Sequence, residues 1–167
     1  SSHLSNCTTA RCAVMSSENY LYAVETCNRH AKRMQWAKDT LQLHVPFSGA
    51  NVTALSNLDH AVLEQFTTRF SKLQDAMGAK LFPGLLELVK EPSDSLTFVD
   101  KLNRLEKLGV LDSTAHWLLM REMRNQFAHD YTMESDVQAA LLNRAFALAD
   151  DLVATFNQIE TFAQPYV

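Results

Sequence analysis

Glycine and proline are scarce, with four of each in 167 residues. A many-stranded sheet needs such residues at its turns, and this chain leaves it little punctuation. Cysteine is scarce too. Cys7, Cys12 and Cys27 are three in number, an odd count, and no two form a C-x-x-C pair. Neither a zinc site nor a disulfide framework is indicated, and a reducing, cytoplasmic setting fits. No apolar run reaches the roughly 18 residues that cross a bilayer, so no membrane association is expected. An excess of positive charge is also missing. The net charge of -4 excludes a broad nucleic-acid coat, but not a small, focused anion site. The opening stretch SSHLSNCTTARCAV has no apolar core and is not a secretion signal. The sequons at Asn6 and Asn51 are therefore chance matches.

What is present is a globular composition, 47% hydrophobic and 20% charged. Met15 followed by SSENYLYAVETC reads as a native start. Residues 1–14 are accordingly read as a cloning remnant or a loose tail, and residues 15–167 as a single helical domain. Ser17 is the expected N-cap of a long helix whose apolar stripe is Tyr20, Val24, Cys27, Ala31, Met34, Ala37 and Leu41. Pro46 and Gly49 end that pattern. A second stripe runs Val62, Phe66, Phe70, Leu73, Met77. Gly78 and Pro83 then predict a kink or a short extra helix. EPSD at 91–94 is a turn. Phe98, Val99, Leu102 and Leu105 mark a short helix closed by Gly109. Asp112 or Ser113 should cap a helix carrying Trp117, Met120, Met123, Arg124 and Phe127. Ser135 or Asp136 should cap the last, with Val137, Leu141, Ala145, Leu148, Leu152, Phe156 and Ile159 in register. Nothing alternates with period two. The fold class expected is all-α, an antiparallel up-and-down bundle of about five helices.

One stretch is unusually polar for a helix end: REMRNQFAHDY, residues 121–131. Helical spacing puts Asn125 and His129 one turn apart on a shared face. Arg124 is about 100° further round, within reach of that face through its long side chain. A guanidinium, an amide and an imidazole converging in this way suit a phosphodiester. Arginine donates a fork of hydrogen bonds to phosphate oxygens. Histidine moves protons near neutrality, and asparagine orients either partner. Tyr131 adds a phenol next door. Each residue alone has an ordinary structural role, as a dipole complement, a carbonyl cap or a packed ring.

Together they form R-N-x3-H-x-Y, late in an all-α chain and just before its last helix. This resembles the HEPN superfamily, and within it the HepT-like toxins encoded beside minimal nucleotidyltransferases. The likeness extends over residues 18–163, with RFSKLQDAMGAKLFP (69–83) similar to the second helix of such proteins. The resemblance implies a metal-independent, cofactor-free endoribonuclease acting on RNA. It implies a homodimer that brings two motifs together, and a cognate minimal nucleotidyltransferase antitoxin. On that model His129 is the acid–base residue and Arg124 stabilises the charge at phosphorus. Asn125 positions the imidazole or a phosphate, and Tyr131 is the residue the antitoxin modifies with AMP. Asp75 and Asp130 are candidate supporting groups. The alternative within the same likeness is a catalytically silent subunit that binds nucleotide or presents substrate to its transferase.

A rival reading takes His129–Asp130 as an HD pair of a metal-dependent phosphohydrolase, with His60 and Asp150 or Asp151 completing it. His60, however, follows Asp59, the expected cap of a helix start, where a surface role is commoner. His30, His44 and His116 show no ligand spacing. Arg69, Lys72 and Asp75 share one helix at three-residue intervals. A solvated face with an ion pair is the expectation for the first two, and an RNA rim the functional alternative.

Overall fold

The computed structural model describes the backbone of residues 2–129 and 134–167, and side chains from Thr9 onward. The chain is all-α, as expected: every regular element among the described residues is helical. The α-helices are α1 (Ser2–Thr40), α2 (Gly49–Thr53), α3 (Asn57–Ala76), α4 (Phe82–Leu88), α5 (Phe98–Lys107), α6 (Thr114–Phe127) and α7 (Ser135–Ala163). No helix of the described residues is long and apolar enough to cross a membrane.

The residues group into two compact units. The first holds Ser1–Asn28, Asp75–Thr114 and Thr155–Val167. Its buried residues include Tyr20, Cys27, Met77, Leu81, Phe82, Leu85, Leu102, Leu105, Phe156 and Ile159. The kink expected around Gly78 and Pro83 is a π-helical turn, Met77–Leu81. The wider turn makes room for Pro83, whose ring would otherwise strike a carbonyl one turn back. Pro83 then falls in the first turn of α4, just after Phe82 N–H donates to Met77 O across the wide turn. Gly109 closes α5 at φ +77, with Val110 N–H donating to Leu105 O and Gly109 N–H to Glu106 O, both at 3.0 Å. The same double closure ends α4, but there Lys90 takes the left-handed position at φ 60. Glu91 N–H donates to Leu86 O at 2.8 Å, and the Glu91 carboxylate accepts from Arg104 of α5 at 2.8 Å. Glu106 accepts the N–H of Thr114 at 3.0 Å and so ties the end of α5 to the start of α6.

The second unit holds Arg29–Gln74 and Ala115–Ala154. Here the α3 stripe Val62, Phe66, Phe70 and Leu73 is buried as expected, with Trp117, Met120 and Met123 of α6. The segment between α1 and α3 is pinned by side chains. Asn143 of α7 accepts from Phe47 N–H at 2.7 Å and donates to Phe47 O at 2.9 Å. Asn51 accepts from Ser48 N–H at 2.8 Å and donates to His44 O at 3.0 Å. His44 lies 3.0 Å from the Asp59 carboxylate.

Four sequence expectations are corrected. Ser17 is not a cap but lies inside α1, which begins at Ser2. Residues 9–15 are exposed, so they show no apolar stripe although they are helical. Asp59 does not cap α3: the hydroxyl of Ser56 accepts the Asp59 N–H at 3.1 Å, and the Asp59 carboxylate is spent on His44. Ser135 and Asp136 are the first residues of α7, after Glu134 in the cap position. Of the expected α7 stripe, Ala145, Leu148, Leu152, Phe156 and Ile159 are buried, joined by Ala139, Leu142, Phe146 and Ala149, whereas Val137 is exposed.

Gly49 opens α2 against the start of α7. A Cβ there would run into the Asp136 carboxylate and come within 3.1 Å of the Asp136 backbone nitrogen. Gly49→Ala is expected to cost about 1–2 kcal/mol by overpacking. At roughly 2–4 °C per kcal/mol for a chain of this size, thermal unfolding should show a lower midpoint. An unchanged midpoint would mean that the first turn of α7 yields freely.

Candidate functional site

The polar run closes α6 without a glycine. Ala128 N–H donates to Asn125 O at 3.2 Å and His129 N–H to Gln126 O at 3.3 Å. These tightened bonds hold His129 on the helix end instead of letting the chain depart at once. Arg124 is half-buried and engaged, whereas Asn125 and His129 are exposed. Asp130 and Tyr131 lie outside the described residues. Asp75 is exposed at the end of α3 and belongs to the first unit, whereas Arg124, Asn125 and His129 belong to the second.

What steadies this helix end is Phe127, which sits between Asn125 and His129 in the motif. Its ring meets Phe70 of α3 edge-on, with centroids 5.6 Å apart and planes at 89°. Phe70 continues to Phe66 at 6.3 Å, Phe66 to Phe146 of α7 at 4.4 Å, and Phe146 to Phe47 at 5.1 Å. Such pairs contribute about 0.5–1.5 kcal/mol each beyond their burial. Phe127 also walls a cavity of about 190 Å³, with His60, Leu63, Glu64 and Thr67 of α3 and Gln138 and Leu142 of α7 around it. The cavity is large enough for a planar ring and mixes apolar walls with amide, hydroxyl and carboxylate groups.

The proposed HD set is dispersed in its engagements. Asp150 pairs with Lys38 at 3.4 Å and Asp151 with His116 at 3.2 Å. His60 lines the cavity instead. Among the described residues, no three His, Cys, Asp or Glu side chains gather where they could hold a metal ion.

Arg69 departs from the solvated face expected of it. It is partly buried, with Nη1 2.9 Å from Nδ1 of His30 on α1. Burial, and after it the nearby charges of Arg33 and Arg29, hold its guanidinium below the usual arginine range. Spacing along one helix could not show this pairing, because its partner lies 39 residues away.

The first unit buries other titratable groups. Burial pushes Tyr20 and Cys27 each up to about 12, with the Glu160 charge adding to both and Lys80 opposing at Cys27. A thiol held so high is not a nucleophile at neutral pH, so Cys27 is a packing residue. Compared with protein-family models, with curated proteins and with solved structures, the chain has no significant match.

Asn125 and His129 are exposed, so alanine at either should shift stability by no more than about 0.5 kcal/mol. Phe127→Ala should cost about 2–3 kcal/mol, somewhat less than a fully buried ring. Chemical denaturation of the three variants checks this. A large loss at His129 would make it a structural cap.

Proposed function

We propose that the chain is a HEPN-type toxin of the HepT-like kind, a metal-independent endoribonuclease acting in the cytoplasm. The observation that carries this reading is the R-N-x3-H run on the closing turns of α6. It combines exposed His129 and Asn125 with half-buried Arg124, on a helix end fixed by the Phe127–Phe70 contact. The cavity that Phe127 helps to wall supports it further, because its size and mixed lining suit a base.

In this mechanism His129 of one protomer takes the proton from a ribose 2′-hydroxyl. The 2′-oxygen then attacks the adjacent phosphorus, and the P–O5′ bond breaks. The second protomer's His129 returns a proton to the leaving 5′-oxygen, and the other product ends in a 2′,3′-cyclic phosphate. Arg124 neutralises the oxygens of the crowded phosphorus. One motif carries one His and one Arg, so a two-fold homodimer supplies the acid and the base together.

RNA cleavage is expected to survive EDTA and to leave cyclic phosphate ends. Arg124→Ala and His129→Ala should each lower the rate by about a hundredfold or more. Rescue of an EDTA-inactivated protein by manganese would instead favour the HD reading. A monomer in solution scattering at micromolar concentration would remove the acid–base pair that the mechanism needs.

The same reading gives Tyr131 a role. A phenol is neutral at pH 7 and is tolerated beside an RNA phosphate. A nucleotide monophosphate attached there would add charge and bulk two residues from His129, and would compete for Arg124. Co-expression with the cognate nucleotidyltransferase should add AMP to Tyr131, and Tyr131→Phe should stay toxic and escape neutralisation. Mass spectrometry showing no adduct while toxicity is still suppressed would leave neutralisation by binding alone. A silent subunit would differ from both, because its expression alone would not arrest growth.

A further inference from the structure

The arginines of α1 and α3 form a cluster that the R-x4-H motif does not use. Arg29 and Arg33 lie one turn apart on α1, and His30 between them reaches Arg69 on α3 at 2.9 Å. Among the described residues, none of the three arginines pairs with a carboxylate. Arg69 is partly buried, and its Nε is buried with no hydrogen-bond partner. A planar guanidinium held by a histidine at one nitrogen, with two like charges close by, is a cation with no carboxylate beside it.

A second feature continues the same face. Trp36 follows Arg33 by one turn, so Arg29, Arg33 and Trp36 stand at i, i+4 and i+7 on α1. Its indole is 57% exposed, whereas the chain's other tryptophan, Trp117, is buried. Arg33 and Trp36 are about 4.5 Å apart along the axis, within the span of one nucleotide. A phosphate grip followed by an exposed aromatic ring is how single strands are held without sequence readout.

We propose that Arg29, Arg33 and Arg69 bind the phosphates of a single-stranded nucleic acid, and that Trp36 stacks on one of its bases. The cluster stands on its own observations; that the strand is RNA rests on the ribonuclease reading. A strand gripped here is positioned without touching the groups that break it. Substitutions in the cluster therefore act on KM and leave kcat in place.

The test uses the full chain carrying His129→Ala, a fluorescein-labelled single-stranded RNA 12-mer, and anisotropy over a range of salt. Binding should quench the exposed tryptophan. Arg29→Gln with Arg33→Gln should weaken binding on the order of tenfold and make the salt slope shallower by about 1.4, two phosphates at about 0.7 each. Trp36→Ala should weaken it on the order of tenfold with the salt slope unchanged. These three residues are exposed, so circular dichroism should stay native, and Arg69 is left untouched. Unchanged affinity in both variants overturns the proposal. So does inorganic phosphate or AMP competing at the strand's own concentration, which would make this a small-anion site. If the strand binds through these residues but the protein with His129 intact never cleaves it, the site stands and the ribonuclease reading falls. If cleavage proceeds with the same KM in the Arg29, Arg33 and Trp36 variants, the reverse holds.

Discussion

The edge-to-face contact between Phe127 and Phe70 is what makes the end of α6 a fixed object. A helix whose last turn is not anchored frays, and fraying would scatter Arg124, Asn125 and His129 over several angles. The contact does not act alone. Phe70 leans on Phe66, Phe66 on Phe146, and Phe146 on Phe47. The Phe47 backbone in turn is clamped at both its N–H and its carbonyl by Asn143. One continuous set of rings and one asparagine thus connect the polar run to α3, to α7 and to the segment before α2. Positioning of this quality matters for any chemistry at a phosphodiester, because a small misplacement of a catalytic group costs rate steeply.

The part of the fold that could be read from spacing is the part whose partners are near in sequence. Cys27, Met34, Ala37 and Leu41 on α1, and Phe66, Phe70, Leu73 and Met77 running along and out of α3, recur at three and four and are buried. Gly78 and Pro83 announced the irregular turn between α3 and α4, and Gly109 the closure of α5. On α7 the stripe was read from its large residues. Leu148, Leu152, Phe156 and Ile159 are buried accordingly, but Ala139 and Ala149 are buried outside that stripe, because alanine carries little weight in an apolar pattern.

The candidate site was legible only as a list of residues on one helix end. Phe127 was visible as an apolar position, but nothing in the chain said that its ring would meet Phe70, 57 residues earlier. The pairs His44–Asp59, Arg69–His30 and Asn143–Phe47 were equally hidden. Each joins groups on different elements, 15, 39 and 96 residues apart, and no periodicity encodes such a pairing. Lys90 shows the same blindness in the backbone. A left-handed helix closure is read from glycine, and here a lysine occupies it under the constraint of Glu91 and Arg104 just beyond.

Net charge also misleads when it is taken for the whole chain. A total of -4 describes the sum of 15 cationic and 19 anionic side chains, not where they stand. Exposed charges act over about 8 Å at physiological salt, so a phosphate meets only its immediate neighbours. Between Arg29 and Lys38 the sequence RHAKRMQWAK carries four cations apart from its histidine, and no acid. Several acids elsewhere in the second unit are already committed: Asp150 to Lys38, Asp151 to His116 and Asp59 to His44. Each of these acids has a partner of its own, whereas Arg29, Arg33 and Arg69 pair with no carboxylate among the described residues. Between the exposed acids Glu25 and Asp39, this stretch of α1 therefore presents Arg29, Lys32 and Arg33 as a local excess of positive charge, although the chain as a whole is negative.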